Sequence, residues 1–128
     1  MRFFRNEEQA QKALVRAAGS WAEPDRKSIL LPGIKELMGA SLVEALRQGT
    51  QGAAYDGALL GRRWGFRLEE ITFPVIYLWH GELDKEVPVS MGREMTEKLG
   101  QCKATFYPGE GHISVIVNHA QDIVRALN

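Results

Sequence analysis

The sequence has very little cysteine, no excess of charge of either sign and no long apolar run. Cys102 is the single cysteine, so no disulfide can form within the chain, which fits a reducing compartment. Sixteen basic residues balance sixteen acidic ones, and the absence of like-charge runs argues against nucleic acid or a membrane as partner. No apolar stretch approaches the ~20 residues that span a bilayer. Because residues 1–8 lack the apolar core of a secretory signal, we expect a cytoplasmic protein.

The first half of the chain has the apolar spacing of helices. Asn6 is predicted to cap the first of them, because its side-chain oxygen can accept a hydrogen bond from the first turn. Apolar residues at helical spacing predict a second helix that begins near Ile34 and ends before Gly49, and a third from Ala53 to Leu60.

The second half has the pattern of a strand, a helix and a second strand. Val75–Trp79 and Ala104–Tyr107 are short runs rich in β-branched and aromatic residues, which predicts two buried strands. Between them, Pro88 is suited to a helix start and Gly100 to a helix end. A helix that connects two strands of one sheet implies that the strands are parallel. A further short turn of helix and a helix capped by Asn118 are expected to follow, with its apolar residues facing inward, namely Ala120, Ile123, Val124 and Leu127.

An acid and a histidine follow these two strands. Asp84 comes after the first and His112 after the second, so both are predicted to lie at the carboxyl edge of the sheet, where α/β proteins place their chemistry. A carboxylate that orients an imidazole is the acid–base part of a catalytic triad, and we expect the two side chains within hydrogen-bond reach. The alternative is structural, with Asp84 as a turn residue and His112 as a loop residue that caps a helix.

The segment Leu-Trp-His-Gly-Glu-Leu-Asp-Lys-Glu-Val-Pro at 78–88, followed by Gly-Glu-Gly-His at 109–112, resembles the C-terminal part of the α/β-hydrolase family. In that family the acid follows the penultimate core strand and the histidine follows the last one. The resemblance therefore implies that Asp84 is the catalytic acid and His112 the catalytic base. It extends over roughly residues 64–127, because the segment 64–75 is similar to the chain that leaves the family's helical cap.

This resemblance implies an α/β fold, a partial α/β-hydrolase with two parallel strands and flanking helices. It implies one domain, 1–128, with a helical cap-like region at about 1–64 and a strand–helix–strand–helix unit at about 65–128. The implied activity is hydrolysis of ester, amide or related bonds by a Ser-Asp-His mechanism, although some relatives use an Asp nucleophile. The sequence contains no Gly-x-Ser-x-Gly elbow, so the nucleophile and the oxyanion hole are expected upstream of Met1. The chain alone is therefore expected to be inactive.

Other residues that could take part in chemistry are interpreted as structural. Ser41 lies in a helical stripe without a preceding strand, and Ser90 and Ser114 are expected to be capping groups. Cys102 precedes a strand and so falls at the edge opposite His112. His80 belongs to a turn and is expected to bond loop backbone, whereas His119 is expected to be exposed.

Metal and cofactor sites have weak support. His80, Asp84 and His112 could form a metal site, but their spacing matches no standard ligand pattern. No glycine-rich phosphate loop is present, and we expect no cofactor. Glu82 and Glu110 lie beside the pair, and either could replace or repel Asp84.

The expected partner is a second copy of the chain or a missing N-terminal hydrolase half. Val75–Trp79 is apolar on both faces, as in a central strand, and an unpaired edge of this kind is a template for another chain. A two-fold dimer would join the two copies antiparallel through this edge. The competing interpretation is a truncated, non-enzymatic dimerisation or interaction module.

Overall fold

A computed structural model describes Phe4 and residues 6–127. The helices are α1 (Glu7–Ala17), α2 (Glu23–Ile29), α3 (Ile34–Ala45), α4 (Gln51–Leu60), α5 (Val89–Lys98) and α6 (Ser114–Ala126), and the strands are β1 (Ile76–Gly81) and β2 (Cys102–Tyr107). Single 3₁₀ turns occupy Ala18–Ser20 and Leu68–Glu70. None of the helices in this described part of the chain has the length and apolar character needed to cross a bilayer. The fold is α/β in the coarse sense predicted.

The chain divides into two compact units. The first contains residues up to Ser20 together with Ile29–Gly65, and the second contains Trp21–Ser28 together with the chain from Phe66 onward. One division falls near residue 65, and residues 21–28 belong with the strands. The domain predicted over 1–128 includes residues 1–3, 5 and 128, which lie outside the described residues.

The first unit contains α1 packed against α3. The side chain of Asn6 accepts a hydrogen bond of 3.0 Å from the backbone N–H of Gln9, so the predicted cap is confirmed. Ala10 is fully buried, and Gly39 of α3 lies against Gln11 of α1 where a Cβ would clash. Gly39 thus allows the two helices to approach closely.

The second unit contains the sheet. β1 and β2 pair in parallel, with Ile76 opposite Cys102 and Gly81 opposite Tyr107, which confirms the predicted arrangement. The prediction that both strands are buried was wrong: β1 is half-buried up to His80, and β2 begins with alternating half-buried and exposed residues. The reason is that the sheet formed by the described residues has only these two strands, so it lacks the neighbours that bury a central strand.

The end of the chain differs from the sequence-based prediction. α6 is one continuous helix from Ser114, so Asn118 lies inside it and does not cap a separate helix. The prediction that its apolar residues face inward was wrong for Ala120, Val124 and Leu127, which are exposed, while Ile123 is half-buried. The periodicity identified residues that share a face of the helix, but nothing in the unit covers that face.

Candidate functional site

The loops that follow β1 and β2 are bound directly to each other. The backbone N–H of Glu82 donates to the carbonyl of Tyr107, and that of Leu83 donates to the carbonyl of Glu110, both at 2.9 Å. Gly81 lies so close to the carbonyls of Glu110 and Gly111 that a Cβ would clash with both. A glycine at the end of β1 therefore allows the two loops to meet at the carboxyl edge of the sheet.

Asp84 is held by hydrogen bonds to both of its carboxylate oxygens. Oδ1 accepts from the backbone N–H groups of Glu86 and Val87, each at 2.8 Å. Oδ2 lies 2.9 Å from Nδ1 of His112, which is 28 positions further along the chain. Because a carboxylate only accepts, Nδ1 of His112 carries the proton. The predicted hydrogen bond between the two residues is present.

The environment keeps Asp84 ionised. Its side chain is only 5% exposed, and this burial raises the pKa of the carboxyl. Hydrogen bonds from Val87, His112 and Glu86 outweigh the burial, together with the charge of His112, and hold the pKa below its usual range. A carboxylate in this state can orient the imidazole and stabilise a positive charge on it.

His112 presents its other nitrogen to an open pocket. The side chain is 47% exposed, and no hydrogen bond within the described chain involves Nε2. The pocket has a volume of about 230 Å³. Beside Asp84 and His112 it is lined by Trp79, His80, Gly81, Val87, Val115 and Ile116. An imidazole with a protonated, anchored Nδ1 and an accessible Nε2 has the arrangement of a general base.

His80 has the structural role predicted from the sequence. Its Nε2 lies 3.0 Å from the carbonyl of Val87, and because a carbonyl only accepts, Nε2 carries the proton. The same nitrogen is 3.8 Å from Oδ2 of Asp84, too far for a hydrogen bond. His80 thus closes the loop that contains Asp84, and it leaves His112 as the imidazole bonded to the carboxylate.

Asp25 is a part of the site that the sequence analysis missed. This residue of α2 is 2% exposed, and its carboxylate accepts three backbone hydrogen bonds from the start of α6. Oδ2 accepts from His112 at 3.0 Å, and Oδ1 accepts from Ile113 at 2.8 Å and from Ser114 at 2.9 Å. Gly111 packs against the same carboxylate, where a Cβ would clash.

The two glutamates beside the pair are bound elsewhere. The carboxylate of Glu82 pairs with Arg93 at 2.6 Å, and Arg93 also lies over the ring of Phe106. The carboxylate of Glu110 accepts hydrogen bonds from Asn118 at 3.1 Å and from His119 at 3.2 Å. Burial raises the pKa of the Glu110 carboxyl, but hydrogen bonds from Ser114, Asn118 and His119 outweigh it and lower the pKa. Neither glutamate replaces Asp84.

His119 is half-buried, so the prediction that it would be exposed was wrong. Its ring stacks on that of Tyr107 with the centroids 3.8 Å apart, and its Nε2 bonds to Glu110. These contacts join α6 to the end of β2. They explain the burial, because the histidine lies on the helix face that packs against the strand.

The serine and cysteine side chains considered from the sequence lie in helices or at the start of a strand. Ser114 is fully buried and its Oγ accepts a hydrogen bond of 2.7 Å from the N–H of Gly111, which precedes α6, so the prediction that Ser114 caps a helix was wrong. Ser41 lies within α3. Ser90 lies in the first turn of α5, which has no side-chain cap, so the predicted capping role of Ser90 was wrong. Cys102 is the first residue of β2 and so lies at the opposite end of that strand from the loop of His112.

In the described part of the chain, no group of three or more His, Cys, Asp or Glu side chains is arranged to hold a metal ion. His80 and His112 both lie beside Asp84, but His80 bonds the carbonyl of Val87 and only His112 bonds the carboxylate of Asp84.

Comparison of the chain with protein-family models, with curated proteins and with solved structures found no match.

Proposed function

We propose that this chain supplies the acid and the base, Asp84 and His112, of a hydrolytic site of the α/β-hydrolase type. The observation that carries the proposal is the 2.9 Å bond from Nδ1 of His112 to a buried carboxylate. The motif spacing at 78–88 and 109–112 is its second support. The substrates would be esters, amides or related bonds.

In this mechanism each residue has one task. His112 takes a proton through Nε2 from the nucleophile and then gives it to the leaving group. Asp84 holds Nδ1 protonated, which keeps the Nε2 lone pair available, and stabilises the imidazolium that forms. The nucleophile and the oxyanion donors would come from a polypeptide that contains a Gly-x-Ser-x-Gly elbow, because this sequence contains none.

The test is to produce the chain alone and together with the polypeptide encoded directly upstream in its source genome. Hydrolysis of p-nitrophenyl acyl esters is then measured. We expect activity only in the combined sample, and a loss of at least about a thousandfold with His112→Ala. Asp56→Asn serves as a control, since Asp56 is an exposed residue of α4. A combined sample without activity that depends on His112 would refute the proposal.

A second candidate function is a dimerisation module. Ile116 and Leu127 of α6 are 63% and 67% exposed, and β1 has a single neighbouring strand among the described residues. Exposed apolar residues beside an open strand edge favour association with another chain. In this case the pair Asp84–His112 would be a structural link between two loops.

A further inference from the structure

We infer that Asp25 is a positioning residue for His112, and this inference rests on the proposed function. Its carboxylate would fix the backbone from which the imidazole projects, while Asp84 orients the ring itself. Asp25 and Asp84 would therefore hold the same histidine at two places, one through the main chain and the other through the side chain.

The hydrogen bonds of Asp25 account for the start of α6. The first N–H groups of a helix have no partner within it, and a side-chain cap normally comes from the residue before the helix. Here that residue is Ile113, which has no capping side chain. Asp25, 87 to 89 positions earlier in the chain, accepts instead from His112, Ile113 and Ser114. A carboxylate at this end of the helix is also favoured by the helix dipole.

Of the three hydrogen bonds that Asp25 accepts, the one from the N–H of His112 holds the backbone of a proposed catalytic residue. Among the described residues, Oδ2 of Asp25 accepts from His112 alone, whereas Oδ1 accepts from both Ile113 and Ser114. The three bonds are formed away from water, because Asp25 is 2% exposed. A side chain whose backbone is fixed in this way can meet Asp84 without losing further freedom, which is the advantage of a preorganised site.

Asp25→Asn separates this role from general stability. Its amide can keep an oxygen toward Ile113 and Ser114, but its NH₂ group then faces the N–H of His112, and two donors cannot bond. The control Asp56→Asn makes the same chemical change at an exposed position of α4. Amide NMR signals of β1 and β2 report whether the fold is retained.

The first measurement is the low-field proton NMR signal of His112 Nδ1–H, assigned through its nitrogen. We expect the signal in the wild-type chain and in Asp56→Asn, and its loss in Asp25→Asn with the signals of β1 and β2 unchanged. A wild-type signal retained in Asp25→Asn would overturn the inference. A wild-type chain without any such signal would instead refute the Asp84–His112 pair, and with it the proposed function.

The second measurement needs no variant and so applies even if Asp25→Asn does not fold. Amide hydrogen exchange is recorded for His112, Ile113 and Ser114, with Val89 and Ser90 as the matched control, since α5 begins after Pro88 without a side-chain cap. We expect the three amides near Asp25 to exchange at least about tenfold more slowly than the two of α5. Equal rates would overturn the inference whatever the state of the imidazole.

Discussion

Gly92 of α5 lies directly against the imidazole ring of His80. A Cβ at this glycine would be 2.8 Å from Nδ1, a distance at which carbon and nitrogen atoms repel each other strongly. His80 in turn bonds the carbonyl of Val87, the residue whose N–H group binds Asp84. The position of Asp84 therefore depends on a glycine in a helix that contains no part of the candidate site.

Gly92→Ala is accordingly expected to destabilise the protein. The extra methyl group must displace a ring that is held by a hydrogen bond, and overpacking of this kind typically costs about 1–3 kcal/mol in the free energy of unfolding. Urea denaturation followed by circular dichroism measures the change. Gly57→Ala in α4 is the matched control, because a Cβ there meets nothing within 4 Å, and we expect it to stabilise α4 by up to about 1 kcal/mol. Equal effects at the two glycines would contradict the prediction.

The contribution of Asp84 to stability is expected to depend on pH. Burial raises the pKa of its carboxyl, but hydrogen bonds from Val87, His112 and Glu86 outweigh it, so the folded pKa lies below the unfolded value of about 3.9. The stabilisation is complete above that unfolded value and is lost as the pH falls through the lower folded one. Urea midpoints of the wild type and of Asp84→Asn should differ near neutral pH and converge in acid, as the pH falls below the folded pKa of Asp84. A difference that stays constant with pH would show that the charge of Asp84 is unimportant.

The chain alone is expected to show no hydrolysis of p-nitrophenyl acyl esters above background. Loss of a single oxyanion donor reduces turnover by about 10²–10³, and this sequence lacks the elbow that provides both nucleophile and donors. Purified wild type and His112→Ala should therefore give equal rates. Turnover in the wild type that disappears in His112→Ala would identify a nucleophile within the chain, with Ser41 and Ser114 the first to be replaced.

The chain is expected to form a dimer in solution when it is produced alone. β1 offers an edge with the sequence of a central strand, and a two-fold pairing of two copies along that edge would be antiparallel. Light scattering over about a hundredfold dilution measures the mass, and Tyr77→Pro, which removes a backbone donor in β1, should shift the chain toward the monomer. A folded monomer at every concentration would exclude this association.

The sequence predicted the elements that depend on local pattern. β1, β2, the helix between them and the order of Asp84 and His112 follow from periodicity and from glycine and proline positions, and the structure contains all of them. Parallel pairing then brought the two loops to one edge. For this reason the hydrogen bond between Asp84 and His112 could be expected from the sequence.

The role of Asp25 could not be predicted in this way. Its position after Pro24 is typical of an acidic residue in the first turn of a helix, and that local interpretation is sufficient for α2. The bonds to residues 112–114 depend on a tertiary contact across 87 positions or more, for which a single sequence contains no signal. The burial of His119 was missed for the same reason, because it requires the ring of Tyr107.

The pairing of Gly81 with Tyr107 at the end of the sheet fixes where the loops of Asp84 and His112 begin. Asp84 is three residues after Gly81, and His112 is five residues after Tyr107. The two segments are turns joined by the hydrogen bond from the N–H of Leu83 to the carbonyl of Glu110, so we expect that an insertion of one residue after Gly81 or after Tyr107 would break the bond between the carboxylate and the imidazole. Insertions near Gly100, at the opposite edge of the sheet, would leave the pairing of Gly81 with Tyr107 intact. Related chains should therefore vary in length on that side and keep both loop lengths constant.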